Sequence, residues 1–163
     1  MNIFKKTFFE LIAVLAILLV ILLAVNFFVD EEDTSRFIQA SLADQEITLE
    51  VADNQILQRM GLSNREYLEE NHGMIFVYEE EIEGLSFWMK DTLIPLDMIF
   101  LNSDFEVVDI IENVPICEED ECPSYTSEQV AKYVIELNAG WVEENNLEIG
   151  DFLETIAQDQ SDS

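Results

Sequence analysis

The chain has 163 residues, room for one ordinary domain plus accessory segments. Its 35 acidic and 7 basic side chains give a formal net charge of -28, a field that repels phosphate backbones and argues against any nucleic-acid partner. The same field disfavours anionic lipid headgroups and attracts cations, but its plain meaning is a solvated, self-repelling surface suited to a saline medium.

The first element is apolar. Lys5 and Lys6 precede residues 11–25, which carry no polar side chain, and the apolar stretch 8–29 tolerates only Glu10 and Asn26. A helix of that length rises about 33 Å, enough for a hydrocarbon core of about 30 Å. Lysines before it and the acidic run at 30–33 after it orient it with the amino terminus in the cytoplasm and the rest outside. The reading is an uncleaved signal anchor over residues 1–29. A cleaved signal peptide is the alternative, but residues 24–26 match an A-x-A site poorly, and the chain would then be secreted. Residues 30–45 read as an acidic linker, 46–157 as the folded domain and 158–163 as a disordered tail.

Within the domain, residues 46–53 alternate as a half-buried strand. Asp53 and Asn54 can cap a helical turn ended by Gly61, and residues 63–66 fit a capping box that carries a second turn to about Leu68. Residues 73–78 form a strand, 79–84 an exposed loop and 86–90 a strand. Pro95 bends the chain into a hairpin of 96–101 and 105–111. A long irregular loop covers 112–129, a strand 131–137, a short helix 141–146, and a last strand begins near Phe152. About seven short strands with one or two short helices and no βαβ period make the fold mainly β, a small sandwich or distorted barrel.

Lys90 is the outlier. It closes the apolar segment SFWMK, and alternation puts Phe87 and Met89 on one face and Trp88 and Lys90 on the other. Asp97 is the first ionisable residue after the bend. If the two strands pair, Lys90 meets Asp97, because a half-buried ammonium needs a partner. One reading is a pocket in which Lys90 binds an anionic group, Asp97 orients it and Trp88 supplies a stacking wall. The other is a structural ion pair closing a corner. Asn138 suits a strand-ending turn or a ligand contact. Glu136 is a partner for a rare cation such as Arg65, which is itself either a carboxylate binder or a loop clamp.

Cys117 and Cys122 lie outside the membrane on this topology and would close the ring CEEDEC as a disulfide, contributing about 2 kcal/mol by loop entropy. A metal site would need further ligands and a redox pair would favour C-x-x-C, so no metal is assigned. His72 reads as a surface or capping residue. No nucleophilic triad and no Gly-rich phosphate loop is evident, so no catalytic residue and no cofactor is assigned.

The order of Gly61-Leu62-x-x-Arg65, GMIFV from Gly73, FWMKDTLIPLDMIF from Phe87, CEEDECPSY from Cys117 and YVIELNAG from Tyr133 resembles family 192 of the domains of unknown function. The resemblance implies a small, mostly β, sandwich-type domain secreted or tethered outside the cell, with no established activity. Two positions depart from the usual pattern: Ser63 stands where methionine is common, and Asp91 where asparagine is common. The leading expectation is a tethered envelope module that binds a small molecule or an envelope protein. An enzyme acting on envelope carbohydrate or peptide through Asp97 or Glu136, and a purely structural domain, are the rivals.

Overall fold

The computed structural model of the protein describes residues 37–119 and 121–155. The expected signal anchor at 1–29, most of the linker and the tail at 158–163 lie outside the described residues. No helix among the described residues is long and apolar enough to cross a membrane.

Among the described residues, nine strands and two short helices follow in the order β1 (Phe37–Leu42), β2 (Gln45–Ala52), α1 (Gln55–Met60), β3 (His72–Ile82), β4 (Ser86–Trp88), β5 (Leu96–Leu101), β6 (Val107–Val114), β7 (Ser124–Thr126), β8 (Ala131–Asn138), α2 (Trp141–Asn145) and β9 (Glu154–Thr155). Seven strands form one sheet in the order β6-β5-β8-β3-β2-β1-β9, and β4 pairs with β7 in a separate ribbon. Every pairing in the large sheet is antiparallel except β2 with β3. The two edges approach each other at one end. There Val107 N donates to Asp151 O (2.8 Å), Gly150 N to Val107 O (2.9 Å) and Leu153 N to Phe105 O (3.0 Å). The mainly β expectation is therefore met by a curled, partly closed sheet, not by a sandwich of two comparable sheets.

Period-two alternation explains the two cores. Ala40, Leu42, Ile47, Leu49, Val51, Ile75, Ile99, Leu101, Ile135 and Leu137 fill the inside of the curl, with Trp141 and Val142 of α2 packed among them. The alternate residues Met74, Phe76, Leu96, Met98, Phe100 and Val134 face outward, where the β4-β7 ribbon and the 61–71 and 89–95 loops cover them through Leu62, Leu68, Leu85, Met89 and Ile94. Both faces of the central strands are thus buried, and all six residues of β5 are inaccessible.

Several local expectations are corrected. The linker does not run to residue 45: β1 occupies Phe37–Leu42, and Ala40 and Leu42 are fully buried, because alternation outweighs the polar composition of the stretch. The acidic 79–82 stretch continues β3 and is not a loop. No second helical turn forms after Ser63: Asn64 adopts a left-handed conformation (φ 61°) and its N–H donates to Asp91 O at 2.7 Å. The first helix forms as expected, with the Asn54 side-chain Oδ1 accepting from Ile56 N and Leu57 N, both at 3.1 Å.

Candidate functional site

The expected Lys90–Asp97 pair does not form. The β4 strand carrying Trp88 pairs with β7, not with β5, so the chain between them is not a hairpin corner of one sheet. Asp97 points into the inside of the curl and is wholly buried. Its carboxylate accepts from Asn113 N at 2.7 Å and from Val142 N at 2.9 Å, tying β6 and the first turn of α2 to β5. That is a structural role, and Asp97 is removed from the candidate site. Lys90 is exposed and has no carboxylate within ion-pair distance among the described residues. Its ammonium instead lies over the Trp88 ring, 5.5 Å from the centroid.

Arg65 does not reach Glu136 either. It forms an ion pair with Glu50, a buried carboxylate on β2. Asn138 donates its amide to Leu68 O (3.1 Å) and Glu69 O (3.3 Å). Arg65 and Asn138 together clamp the 61–71 loop onto the outer face of the sheet. His72 opens β3 at the surface, beside Glu69.

Glu136 is the exception. It lies on β8, on the outward face, paired across the sheet with Met74 on one side and Met98 on the other. The same row holds Glu50, beyond Met74. Glu136 is only 4% exposed, and no described residue donates a hydrogen bond to its carboxyl group. Burial disfavours its charged form and pushes its pKa up to about 8. Nearby Tyr78 on β3 is also raised, first by burial and then by the charge of Glu136.

This carboxyl group lines a narrow pocket between the sheet and its cover. The walls come from Phe76 on β3, Phe87 and Trp88 on β4 and Gly61, Leu62 and Ser63 after α1, with Arg59, Lys90 and Thr92 alongside. The cavity proper is about 30 Å³, room for one or two water-sized groups, and it opens to solvent through a wider mouth. Phe76 and Phe87 meet edge to face at 4.8 Å, and Trp88 remains 56% exposed at the rim. The cover is tied down by Ser63 Oγ donating to Lys90 O (3.3 Å) and Gln58 Nε2 donating to Val77 O (2.8 Å). Asp91 takes a left-handed conformation (φ 59°). Asparagine and aspartate share that tolerance, so the departure at this position preserves the turn.

The structure therefore brings together Trp88, Lys90 and Glu136 from the sequence-derived set, places Arg65 and Asn138 in the neighbouring clamp and sends Asp97 to the opposite face. Sequence reasoning missed Arg59, Phe76 and Phe87 as pocket walls, and Glu50 as the partner of Arg65. One usable signal was Glu136 itself, an acid in the apolar run YVIEL, sharing a face with Val134.

A second, more open cleft of about 520 Å³ lies between β1 to β3 and the 65–69 loop, lined by Phe37, Thr48, Arg65, Tyr67 and His72. Its guanidinium is already engaged by Glu50. Cys117 and Cys122 form a disulfide in the loop between β6 and β7. No group of three or more His, Cys, Asp or Glu that could hold a metal occurs among the described residues.

Comparison with known proteins places this geometry. The DUF192 family model, described as Uncharacterized ACR, matches residues 37–155. The crystal structure of a candidate transcription regulator from Sinorhizobium meliloti 1021 is similar, with 33% identity, a TM-score of 0.66, and coverage of 73% of this chain and 92% of that one. A protein of unknown function from Novosphingobium aromaticivorans DSM 12444 is also similar, with 27% identity, a TM-score of 0.63, and coverage of 72% and 83%. No curated protein matches.

Proposed function

The chain belongs to the DUF192 family, and from that premise we propose that it is a non-catalytic, membrane-tethered extracytoplasmic module that binds a small ligand in the Trp88, Lys90 and Glu136 pocket. One observation carries this reading: the carboxyl group of Glu136, on a residue only 4% exposed and with no hydrogen bond from the described residues, opens onto a cavity rimmed by an exposed tryptophan. An acid whose pKa is raised by burial and whose carboxyl group faces a cleft marks a binding position. The narrowness of the pocket favours a small molecule over an envelope protein. The apolar stretch at 8–29 supports tethering, and the disulfide supports an oxidising compartment.

The net charge of -28 weighs against carrying DNA binding over from the Sinorhizobium protein's description. An enzyme using Glu136 as a general acid draws on the raised carboxyl group. No second carboxylate lines the pocket to complete a hydrolytic pair, so binding is the better reading. A thermal-shift screen of the full chain in detergent against envelope sugars, peptides, small organic acids and amines tests it. A ligand that raises the melting temperature and changes Trp88 fluorescence is expected. Ligands that stabilise the protein equally with Trp88 replaced by alanine contradict the site.

A further inference from the structure

The charge around the pocket runs against the charge of the molecule. The sequence carries 35 acids and 7 bases, and only Arg59, Arg65, Lys90 and Lys132 represent the bases among the described residues. Two of those four, Arg59 and Lys90, line this one cavity, and Glu136 is the only acid that does. Neither Arg59 nor Lys90 is committed to an ion pair among the described residues. Arg65, by contrast, is neutralised by Glu50. Two cations with no ion pair among the described residues thus meet at one aromatic-walled opening.

We propose that the pocket binds a small organic carboxylate, with its anionic head entering the cavity towards Lys90, Arg59 and the Glu136 carboxyl group at the floor, and its apolar body outside the cavity against the exposed Trp88 at the rim. This inference rests on the binding reading above and names its ligand class. Three features select that class. The cations supply charge-assisted donors for a carboxylate. The exposed Trp88 ring at the rim suits a flat or slim apolar body lying outside the cavity. The buried Glu136 lies between Met74 and Met98, where a neutral acid can donate a hydrogen bond and an ionised one would repel an anion. An ammonium ligand would face Lys90 and Arg59 at the entrance and find Glu136 uncharged at neutral pH.

The proton on Glu136 is then part of the site. The groups facing it are Tyr78 from β3, Arg59 from the end of α1 and Lys90 from the loop after β4. Glu50, further along the row, is occupied by Arg65. Affinity for a carboxylate should fall as pH rises through about 8, because the floor loses its donor and gains a charge. With ligand requiring the protonated form, binding at pH 9 is about tenfold weaker than at pH 6.

The test is calorimetric titration of the full chain in detergent with benzoate, phenylacetate and hexanoate, beside benzamide, benzylamine and hexylamine, at pH 6 and pH 9. The carboxylates should bind, weaken about tenfold at pH 9, and weaken about tenfold in Lys90→Met at pH 6. In Glu136→Gln, which keeps an amide donor and cannot ionise, carboxylate binding should persist at pH 9. Should the amines or the amide bind in preference to the acids, or affinity rise with pH, the carboxylate assignment is overturned while the pocket stands. If no member of the panel binds a protein that still unfolds cooperatively, the assignment is overturned and the pocket reading falls with it.

Discussion

Asp97 and Glu136 sit on neighbouring strands, β5 and β8, yet meet opposite environments. Asp97 faces the inside of the curled sheet and receives two backbone N–H donors, from Asn113 and Val142. Glu136 faces outward under a cover of loops and receives none from the described residues, so its carboxyl group stays neutral up to about 8. Both are buried acids in apolar strands. The first is built into the fold, whereas the second has its hydrogen-bonding capacity in reserve. The comparison teaches that burial of an acid says little until its donors are counted.

The largest expected effect comes from breaking the satisfied member. Asp97→Ala leaves the buried Val142 N–H and the part-buried Asn113 N–H without an acceptor and should lower stability by about 3 kcal/mol in urea denaturation, whereas Asp97→Asn, keeping one acceptor, should lose about half as much. Pocket binding should be unaffected in whatever fraction remains folded.

The unsatisfied member should behave in the opposite sense. Its unfolded-state value is the ordinary 4.5, and the folded protein raises it to about 8. Between those values the native state holds a proton that the unfolded chain has lost, so stability falls as pH rises through that window and levels off above it. Glu136→Gln removes this penalty. It should stabilise the protein by about 3 kcal/mol at pH 9, leave it little changed at pH 4, and flatten the pH profile between.

A smaller effect separates the cover from the sheet. Arg65→Ala strands the Glu50 carboxylate and should cost about 2–3 kcal/mol, with increased proteolysis of the 61–71 loop. Replacing Cys117 and Cys122 together by serine should cost about 2 kcal/mol, the loop-entropy value for a six-residue ring, read as a lower urea midpoint.

Much of the fold was legible because alternation is a local property. The strands at 46–53, 96–101 and 131–137, the Asn54 cap and the exposed Trp88 and Lys90 opposite Phe87 and Met89 all followed from spacing alone. What failed was pairing across distance. Lys90 and Asp97 are seven positions apart, and adjacency suggested a contact. The sheet order instead sends β4 to β7 and turns Asp97 to the other face, and nothing in the local pattern encodes that choice. Arg65 found Glu50, fifteen residues earlier, for the same reason. In a chain this acidic, a rare cation has too many plausible partners for sequence to select one. Glu136 was expected to partner a rare cation such as Arg65 and does not, since it lies between Met74 and Met98, which arrive from two other strands.

A carbon-detected NMR titration of side-chain carboxyl resonances, assigned by comparison with Glu136→Gln, reads directly whether Glu136 is held neutral beneath the pocket. A single glutamate titrating near 8, shifting further upward when benzoate is added, is expected. A midpoint near 4.5 would contradict this, for the carboxylate would then be charged at neutral pH and would repel an anionic ligand.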